Sequence, residues 1–265
     1  MRACEARERK CVRHFLMCAV MAVIAGAECD QAAAAPEEIQ VYLDDVNEPR
    51  EVGLEMHINY VADGPRAAAY AGQLPTHHVL QVTPEFSYGI AKNWDAGLYL
   101  LSTLGPGGNF NANGAKLRLK YIAPTDGAFF WGMNVELGYT SRRVTENYVN
   151  TELRPILGWH SGPWLVALNP IIDAALSGEV SRAPTFAPAL KIARSIGAGT
   201  QLGIEHYADM GPLHHLLPFN QQDHTLYGVL DLQKGPVDLN LGVGRGFMGA
   251  AEKWVLKMIV GIPFK

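Results

Sequence analysis

Three cationic side chains alternate with apolar ones in the stretch AKLRLKYIAP (115–124). Lys116, Arg118 and Lys120 stand at every second position, and the residues between them are apolar. Because successive side chains of a β-strand point to opposite faces, this stretch predicts a strand with one basic and one apolar face. In a soluble protein the basic face would meet water. In a membrane barrel the apolar face would be the outside, and the cations would line the interior.

Other charged residues alternate with apolar residues in the same way, so they share the predicted inner face. The candidates for lining the lumen of such a barrel are Lys116, Arg118, Lys120, Arg154, Lys191, Lys257, Glu55, Glu85, Glu136, Glu152, Glu205, Asp209 and Asp231. A charged lumen selects permeants by sign and size. Since both signs are abundant, the same residues could instead pair with one another and hold the shape of the barrel. The pattern leaves both interpretations open.

Two adjacent histidine pairs, His77–His78 and His214–His215, lie in predicted loops. Imidazole is a common ligand of zinc and copper. Neighbouring residues seldom reach one ion together, however, and no carboxylate lies near either pair at a spacing typical of a metal site. We therefore interpret both pairs as exposed loop histidines and predict neither a metal site nor a cofactor.

His206 falls among the apolar positions of its predicted strand. Some outer-membrane lipases and acyltransferases place a Ser–His pair on their lipid-facing surface, so this position merits attention. The sequence contains no Gly-x-Ser-x-Gly motif, and no serine is placed to act as a partner. We therefore predict an interfacial histidine without a catalytic role, and a protein that is not an enzyme.

The first 35 residues have the three parts of a secretory signal peptide. Basic residues are concentrated in 2–13, an apolar stretch follows at 15–27, and a run of small residues occupies 31–35. The apolar stretch is too short for a transmembrane helix, which needs about 20 residues. We predict that 1–35 is a cleaved signal peptide. All four cysteines precede residue 30, so the predicted mature chain forms no disulfide.

The rest of the chain shows a period of two rather than a helical period, which predicts β-strands. The twelve predicted strands are 52–61, 79–90, 96–104, 115–124, 128–140, 150–160, 164–175, 187–196, 201–209, 224–233, 237–244 and 254–264. Tight turns rich in Gly, Pro, Asn or Asp alternate with mostly longer connections. This alternation predicts antiparallel hairpins with all short turns at one end.

Two architectures accommodate such strands: a soluble all-β domain, and an outer-membrane barrel with a polar lumen. Three features favour the barrel. The strand lengths match those of tilted membrane-spanning strands, the polar faces suit a lumen, and all five tryptophans lie near strand ends, where an interfacial girdle needs them. We predict an all-β fold, a 12-stranded antiparallel up-and-down transmembrane β-barrel formed by 52–265.

The segment 36–51, PEEIQVYLDDVNEPRE, is acidic and precedes the first predicted strand. We predict an N-terminal periplasmic extension, and two interpretations of it remain. The segment could be a plug that touches the basic part of the lumen, or a solvated tail with a short ordered piece.

Four stretches resemble proteobacterial outer-membrane β-barrels: EIQVYLDDVNEPREVGLEMHINYV (38–61), HVLQVTPEFSYGIAKNWDAGLYL (78–100), NGAKLRLKYIAP (113–124) and KWVLKMIVGIPF (253–264). They are most similar to proteins related to the meta-pathway phenol-degradation family, a group regarded as transport pores. The resemblance covers about 40–265. It implies passage of small molecules, including hydrophobic or aromatic compounds, across the outer membrane, and it implies no catalytic residue.

We therefore expect an outer-membrane protein that acts as a passive pore or transporter for small solutes. The first alternative is a structural or surface-interaction barrel whose lumen is closed by paired charges. The second is a lipid-modifying enzyme. Expected partners are outer-membrane lipid and lipopolysaccharide, the barrel-assembly machinery during biogenesis, and a small-molecule permeant. The mild net charge of −4, without a long basic run, argues against a nucleic-acid partner.

Overall fold

The computed structural model describes residues 38–177 and 183–264, so the predicted signal peptide lies outside the described residues. The described chain is almost entirely β-structure. Its strands are β1 (Val52–Asp63), β2 (Leu80–Ala91), β3 (Trp94–Leu104), β4 (Phe110–Ile122), β5 (Phe129–Thr140), β6 (Val149–Ser161), β7 (Trp164–Asn169), β8 (Ile172–Ser177), β9 (Thr185–Phe186), β10 (Ala189–Gly197), β11 (Thr200–Asp209), β12 (Asp223–Lys234), β13 (Val237–Met248) and β14 (Trp254–Phe264). A single 3₁₀ turn, Phe219–Gln221, precedes β12. Within these ranges no helix is long and apolar enough to cross a membrane.

The strands form one closed antiparallel barrel. β1 pairs with both β2 and β14, and β5 pairs with both β4 and β6, so the sheet closes on itself. β7 with β8, and β9 with β10, are each two pieces of one barrel strand, which gives twelve strands in the wall. The predicted 12-stranded antiparallel barrel is confirmed. Tight turns join strands at one end of the wall and mostly longer loops at the other; we call these the short-turn end and the long-loop end.

Prolines interrupt two strands of the barrel wall, one of which, 164–175, the sequence predicts as continuous. The predicted strand 164–175 is split at Pro170, and a short piece at 185–186 precedes Pro188 before the next strand resumes. Proline has no backbone N–H and therefore cannot donate a hydrogen bond to a neighbouring strand. The barrel keeps twelve strands, but its hydrogen-bond ladder is locally incomplete at these positions.

The outer surface of the wall is apolar. Large apolar side chains are exposed at alternate positions, for example Leu117 and Leu119 on β4. The five tryptophans are also exposed near strand ends, four at the short-turn end and Trp254 at the long-loop end. Aromatic side chains at these levels flank the apolar band of outer-membrane barrels. The outward face of the alternating pattern is thus the one that suits a bilayer.

Gly114 occupies a position in β4 where a side chain does not fit. Its φ is +146°, and a Cβ there would lie 1.9 Å from the backbone oxygen of Tyr139 on β5. We expect Gly114→Ala to lower the free energy of unfolding by about 2–3 kcal/mol, because the two strand backbones must move apart. Urea unfolding in detergent micelles measures this loss.

Gly228→Ala is the matched control, because a Cβ on that strand glycine meets nothing within 4 Å. It should change the unfolding free energy by no more than about 0.5 kcal/mol. Equal stabilities for the two variants would contradict the prediction for Gly114.

Candidate functional site

Residues 38–47, here called the lumenal segment, run lengthwise through the barrel. Ile39 belongs to a buried apolar cluster with Val61, near the long-loop end. Asn47 donates a hydrogen bond from Nδ2 to the Ser87 hydroxyl at 2.8 Å, near the short-turn end. This part of the chain, predicted as an extension or a plug, therefore lies inside the wall.

The middle of the lumenal segment is bound to β7. The Asn169 side chain accepts a hydrogen bond from the Tyr42 N–H at 2.6 Å and donates one to the Tyr42 carbonyl at 3.1 Å. The Tyr42 hydroxyl lies 2.5 Å from the Tyr99 hydroxyl, and the Arg154 guanidinium lies 4.2 Å from the centre of the Tyr42 ring. All four side chains are buried. These contacts fix Tyr42 against three different strands of the wall.

The strand register places all thirteen predicted lumenal residues on the inner side of the wall. Most are buried, and twelve of them fall into three groups of contacts at different levels of the barrel. Asp209 lies apart from these groups at the end of β11 and accepts a hydrogen bond from the Gly211 N–H at 2.8 Å. That these side chains line a conducting path remains a prediction.

The first group lies near the short-turn end and has Arg118 at its centre. The Arg118 Nη2 lies 2.8 Å from Glu85 Oε1 and 3.1 Å from Asp95 Oδ1. Lys120 lies 4.0 Å from Asp95 and 3.2 Å from Asp45 of the lumenal segment. Asp95 was not among the predicted residues, because it was assigned to the tight turn before the predicted strand 96–104, which alternates weakly. One guanidinium thus joins β2, β3 and β4 from inside the barrel.

Glu55, His57 and Glu85 extend this group, and their ligand atoms lie within 4.8 Å of one another, as in a metal site. His57 Nε2 is 3.2 Å from Glu85 and 3.9 Å from Glu55. The Arg118 cation occupies the other oxygen of Glu85, however, and Gln40 donates to Glu55 at 3.2 Å. A guanidinium so close to a potential ligand opposes cation binding, so the trio is explained by ion pairing.

The second group surrounds the middle of the lumenal segment on β4, β5 and β6. Lys116 Nζ lies 3.6 Å from Glu136. Arg154 donates to both carboxylate oxygens of Glu152, at 2.5 and 3.0 Å, and to the backbone carbonyl of Gln40 at 3.1 Å. Bidentate pairing of this kind orients the guanidinium firmly. Arg154 therefore binds the wall and the lumenal segment together.

The third group lies on β10, β11, β12 and β14. Glu205 accepts hydrogen bonds from Lys257 and lies 3.1 Å from Lys191 Nζ. Lys191 also lies 2.9 Å from Asp231, and Lys257 donates to the Ile39 carbonyl at 3.1 Å. One buried carboxylate thus compensates two buried ammonium groups, and one of these ammonium groups also binds the lumenal segment.

Two carboxylates of the lumenal segment itself differ in their environments. The Glu38 side chain is buried and lies 3.6 Å from Arg154 Nη1. Near the other end, the Asp45 side chain is largely exposed and lies 3.2 Å from Lys120 Nζ. The lumenal segment thus forms an ion pair with the wall near each of its ends.

Part of the inner wall is apolar, which the sequence did not predict. Its side chains, here called the apolar wall, are Ile122, Phe130, Ile156, Leu165, Ala167, Ile171 and Ala189. Val41 and Tyr42 of the lumenal segment pack against them in one buried cluster. The predicted strands 150–160 and 164–175 alternate only weakly, because both of their faces carry apolar residues. That weak alternation was the available signal.

A cavity of about 170 Å³ remains between the lumenal segment and the wall near the short-turn end. Its lining includes Asp45 and Gln40 from the segment and Glu55 and Arg118 from the wall. The cavity is large enough for several water molecules. The charged and polar side chains of the first group thus border a cavity that can hold water.

The outward-facing His206 is part of a chain of hydrogen bonds. Its Nε2 lies 3.0 Å from His224 Nδ1, and His224 Nε2 lies 3.1 Å from Gln222 Oε1. Both imidazoles stack on Phe247. Within 38–177 and 183–264, no serine hydroxyl forms a hydrogen bond with His206. The position supplies a polar contact near the long-loop end.

The loop histidines His77 and His78 have separate partners. The His78 Nδ1 lies 2.6 Å from the Tyr60 hydroxyl, and the His77 Nδ1 lies 3.7 Å from Asp63. Their rings are 3.9 Å apart with a large tilt between them. The arrangement explains these residues without a shared ion.

Comparison with known proteins bears on the fold. No protein-family model matches the chain, and no curated protein matches its sequence. Among solved structures, the chain is similar to an outer membrane channel from Pseudomonas putida F1, with a TM-score of 0.60 and 13% identity over 86% of this chain and 100% of that chain. The fold is that of outer-membrane β-barrels.

Two porins share this fold. The KdgM porin has a TM-score of 0.52 and 12% identity, over 80% of this chain and 99% of that chain. The NanC porin has a TM-score of 0.53 and 13% identity, again over 80% of this chain and 99% of that chain. Identities this low relate the folds and leave the permeants undetermined. The resemblance to the meta-pathway phenol-degradation family is not confirmed.

Proposed function

We propose that this protein is an outer-membrane channel for small solutes, with the lumenal segment restricting the path. The observation that carries the proposal is that the lumen contains a segment of the chain that precedes the first strand of the wall. The barrel wall is held by continuous strand pairing, whereas the segment is held by side-chain hydrogen bonds, ion pairs and packing. A 12-stranded wall is also wider than the eight-stranded barrels whose interiors wall side chains can fill.

We further propose that the permeants are small apolar or aromatic molecules. The apolar wall supports this assignment, because a lumen for strictly hydrophilic solutes would not need a contiguous inner surface of Ile, Leu, Phe and Ala. Tyr42 and Tyr99 add two buried aromatic rings at its border. An apolar solute that displaces Tyr42 from the apolar wall would itself make apolar contacts in place of those that Tyr42 loses.

Flux into liposomes tests the channel directly. With the purified full chain, we expect swelling in small solutes such as arabinose, and faster entry of a small aromatic solute such as phenol than of an uncharged polar solute of equal size. Liposomes without protein give the background rate. Failure of every solute to enter above that background would sink the channel proposal.

The main alternative is a barrel with a structural or surface-interaction role, and the paired lumenal charges favour it. In that case the contacts of Arg118, Arg154 and Glu205 serve only stability. The two functions differ in one measurement. A structural barrel should pass no solute even after the lumenal segment has been removed, whereas a channel should then pass more.

A lipid-modifying enzyme is the remaining alternative. We expect phospholipid hydrolysis by the purified protein to stay at background, and His206→Ala to leave it there. Reproducible activity that is lost in His206→Ala would overturn this expectation. The same preparation, spiked with an active phospholipase, controls for assay sensitivity.

We also propose residence in the outer membrane, and cell fractionation tests it. The protein should sediment with outer-membrane markers and should migrate faster on a gel when it is not boiled, because a closed barrel stays compact in detergent. A soluble periplasmic product would contradict the assignment.

A further inference from the structure

Three prolines lie in one row across three neighbouring barrel strands. The registers of β6 with β7 and β8, and of β7 and β8 with β9 and β10, place Pro155 opposite Pro170 and Pro170 opposite Pro188. Their sequence neighbours face the lumen, so the three rings lie on the outward side of the wall. None of the three can donate a backbone hydrogen bond. The row therefore lacks three consecutive donors.

The hydrogen-bond ladder is interrupted at this row. In the described chain, residues 154–156 of β6 and residues 169–171 opposite them form no strand pairing with each other; we call this stretch the seam. The ladder resumes immediately on both sides of it. On the far side of β6, the pairing with β5 continues through the same level, including Pro155 opposite Met133. The gap is thus confined to one side of β6.

The outer surface of the seam is apolar, and its inner surface carries two apolar side chains beside two polar ones, Arg154 and Asn169. Outside, the flanking pairs are Leu153 with Ile172 and Leu157 with Leu168. Inside, the buried side chains of Ile156 and Ile171 belong to the apolar wall. A molecule that leaves the apolar wall beside Ile156 and Ile171 would pass Arg154 and Asn169 on the inner side of the seam and would then meet apolar side chains until it reaches the bilayer.

The lumenal segment binds both borders of the seam. On one border, Asn169 directly precedes Pro170 and makes two hydrogen bonds to the Tyr42 backbone, at 2.6 and 3.1 Å. On the other border, Arg154 directly precedes Pro155 and donates to the Gln40 carbonyl at 3.1 Å. One short piece of backbone thus connects the two strand edges where they lack bonds to each other.

We propose that the seam is a lateral exit through which small apolar solutes pass from the lumen into the bilayer, and that the lumenal segment holds it closed. The solute class rests on the proposed function; the opening of the wall does not. Parting two strands in a lipid environment exposes backbone groups that find no partner there, at high cost. The cost is lowest where prolines have already removed the donors. Release of residues 40–42 would remove the remaining connection.

The opening itself is tested with nitroxide spin labels across the seam. In the full chain, the four native cysteines are replaced by serine. Spin labels are attached to the cysteines introduced by Leu153→Cys and Ile172→Cys, and the protein is measured in lipid. Asn169→Ala removes both hydrogen bonds to Tyr42. We therefore expect about a tenfold increase in the fraction of molecules whose two labels are too far apart to show dipolar broadening.

Two controls restrict the interpretation of that result. Labels at Leu119 and Val135, which pair across the uninterrupted β4–β5 ladder, should keep their broadening in every background. Asn113→Ala removes another buried asparagine, which donates to Thr103 at 3.2 Å, and should leave the seam labels unchanged. Identical broadening across the seam with and without Asn169→Ala would overturn the proposal.

The route is tested by locking the seam with a disulfide. In liposomes that carry Leu157→Cys and Leu168→Cys, oxidation should slow the transfer of N-phenylnaphthylamine into the bilayer about tenfold, and reduction should restore it. A disulfide between Leu119→Cys and Val135→Cys should have no effect. Unchanged transfer with a locked seam overturns the lateral exit and leaves the channel proposal standing. Absence of any solute flux in the unlocked protein refutes the channel, while the spin labels still decide whether the seam opens.

Discussion

Deletion of residues 38–47 is expected to raise the single-channel conductance about tenfold, because the lumenal segment occupies the cross-section through which ions would pass. The segment contacts inward-facing groups on opposite sides of the barrel, Glu55 on β1 and Asn169 on β7. The first and last strands of the barrel pair without the segment, because β1 pairs directly with β14. Planar-bilayer recording of the purified deletion variant, beside the full chain, measures the change.

Asp44→Ala is the matched control for this deletion. Asp44 belongs to the same segment but forms a half-exposed pair with His160 at 3.1 Å near the short-turn end. Exposed pairs contribute little, so this variant should conduct like the full chain. Equal conductance for the deletion variant and the full chain would show that the lumen is closed by the wall, and it would favour the structural barrel over the channel.

Arg118→Met is expected to lower the free energy of unfolding by about 3–5 kcal/mol, because it leaves the carboxylates of Glu85 and Asp95 buried without their cation. The guanidinium lies 2.8 and 3.1 Å from these groups, and all three side chains are almost fully buried. The methionine side chain fills most of the volume of the arginine side chain. The loss of stability therefore reports the removal of the charge. Urea unfolding in detergent micelles measures it.

Lys116→Met separates charge burial from a general effect of removing lumenal cations. Lys116 stands two residues earlier on the same face, but its ammonium is more exposed and lies 3.6 Å from Glu136. Its loss should cost about 1 kcal/mol, because Glu136 keeps hydrogen bonds from Tyr42 at 3.2 Å and Asn134 at 3.0 Å. In a Glu85→Gln background, Arg118→Met should cost clearly less than it does alone. Equal costs for Arg118→Met in both backgrounds would show that the pair with Glu85 contributes nothing.

The sequence by itself determined the class of fold. In AKLRLKYIAP a period of two with a cation at each alternate position leaves a single low-energy arrangement once the outside is lipid: the apolar side chains outwards and the cations inwards. The alternation of short turns and longer loops then dictated antiparallel neighbours. Both signals are local, so no knowledge of distant contacts was needed to predict twelve strands.

Tertiary structure decided which charges meet. Arg118 pairs with Glu85 and Asp95 because the registers of β2, β3 and β4 bring those positions to one level, and register depends on the pairing of whole strands. Alternation predicts on which face of the strand a residue lies, but it does not predict the level of that residue along the barrel axis. The sequence therefore predicted which residues face the lumen, but it did not predict which of them form ion pairs with each other.

The location of the lumenal segment likewise could not be predicted from the sequence. Its acidic composition was compatible with a periplasmic extension, a plug or a tail. The choice is made by contacts across great sequence separation, such as that of Tyr42 with Asn169, 127 residues further along. The seam has the same origin: the predicted strands run through Pro155, Pro170 and Pro188, and only the registers of the paired strands bring these prolines into one row.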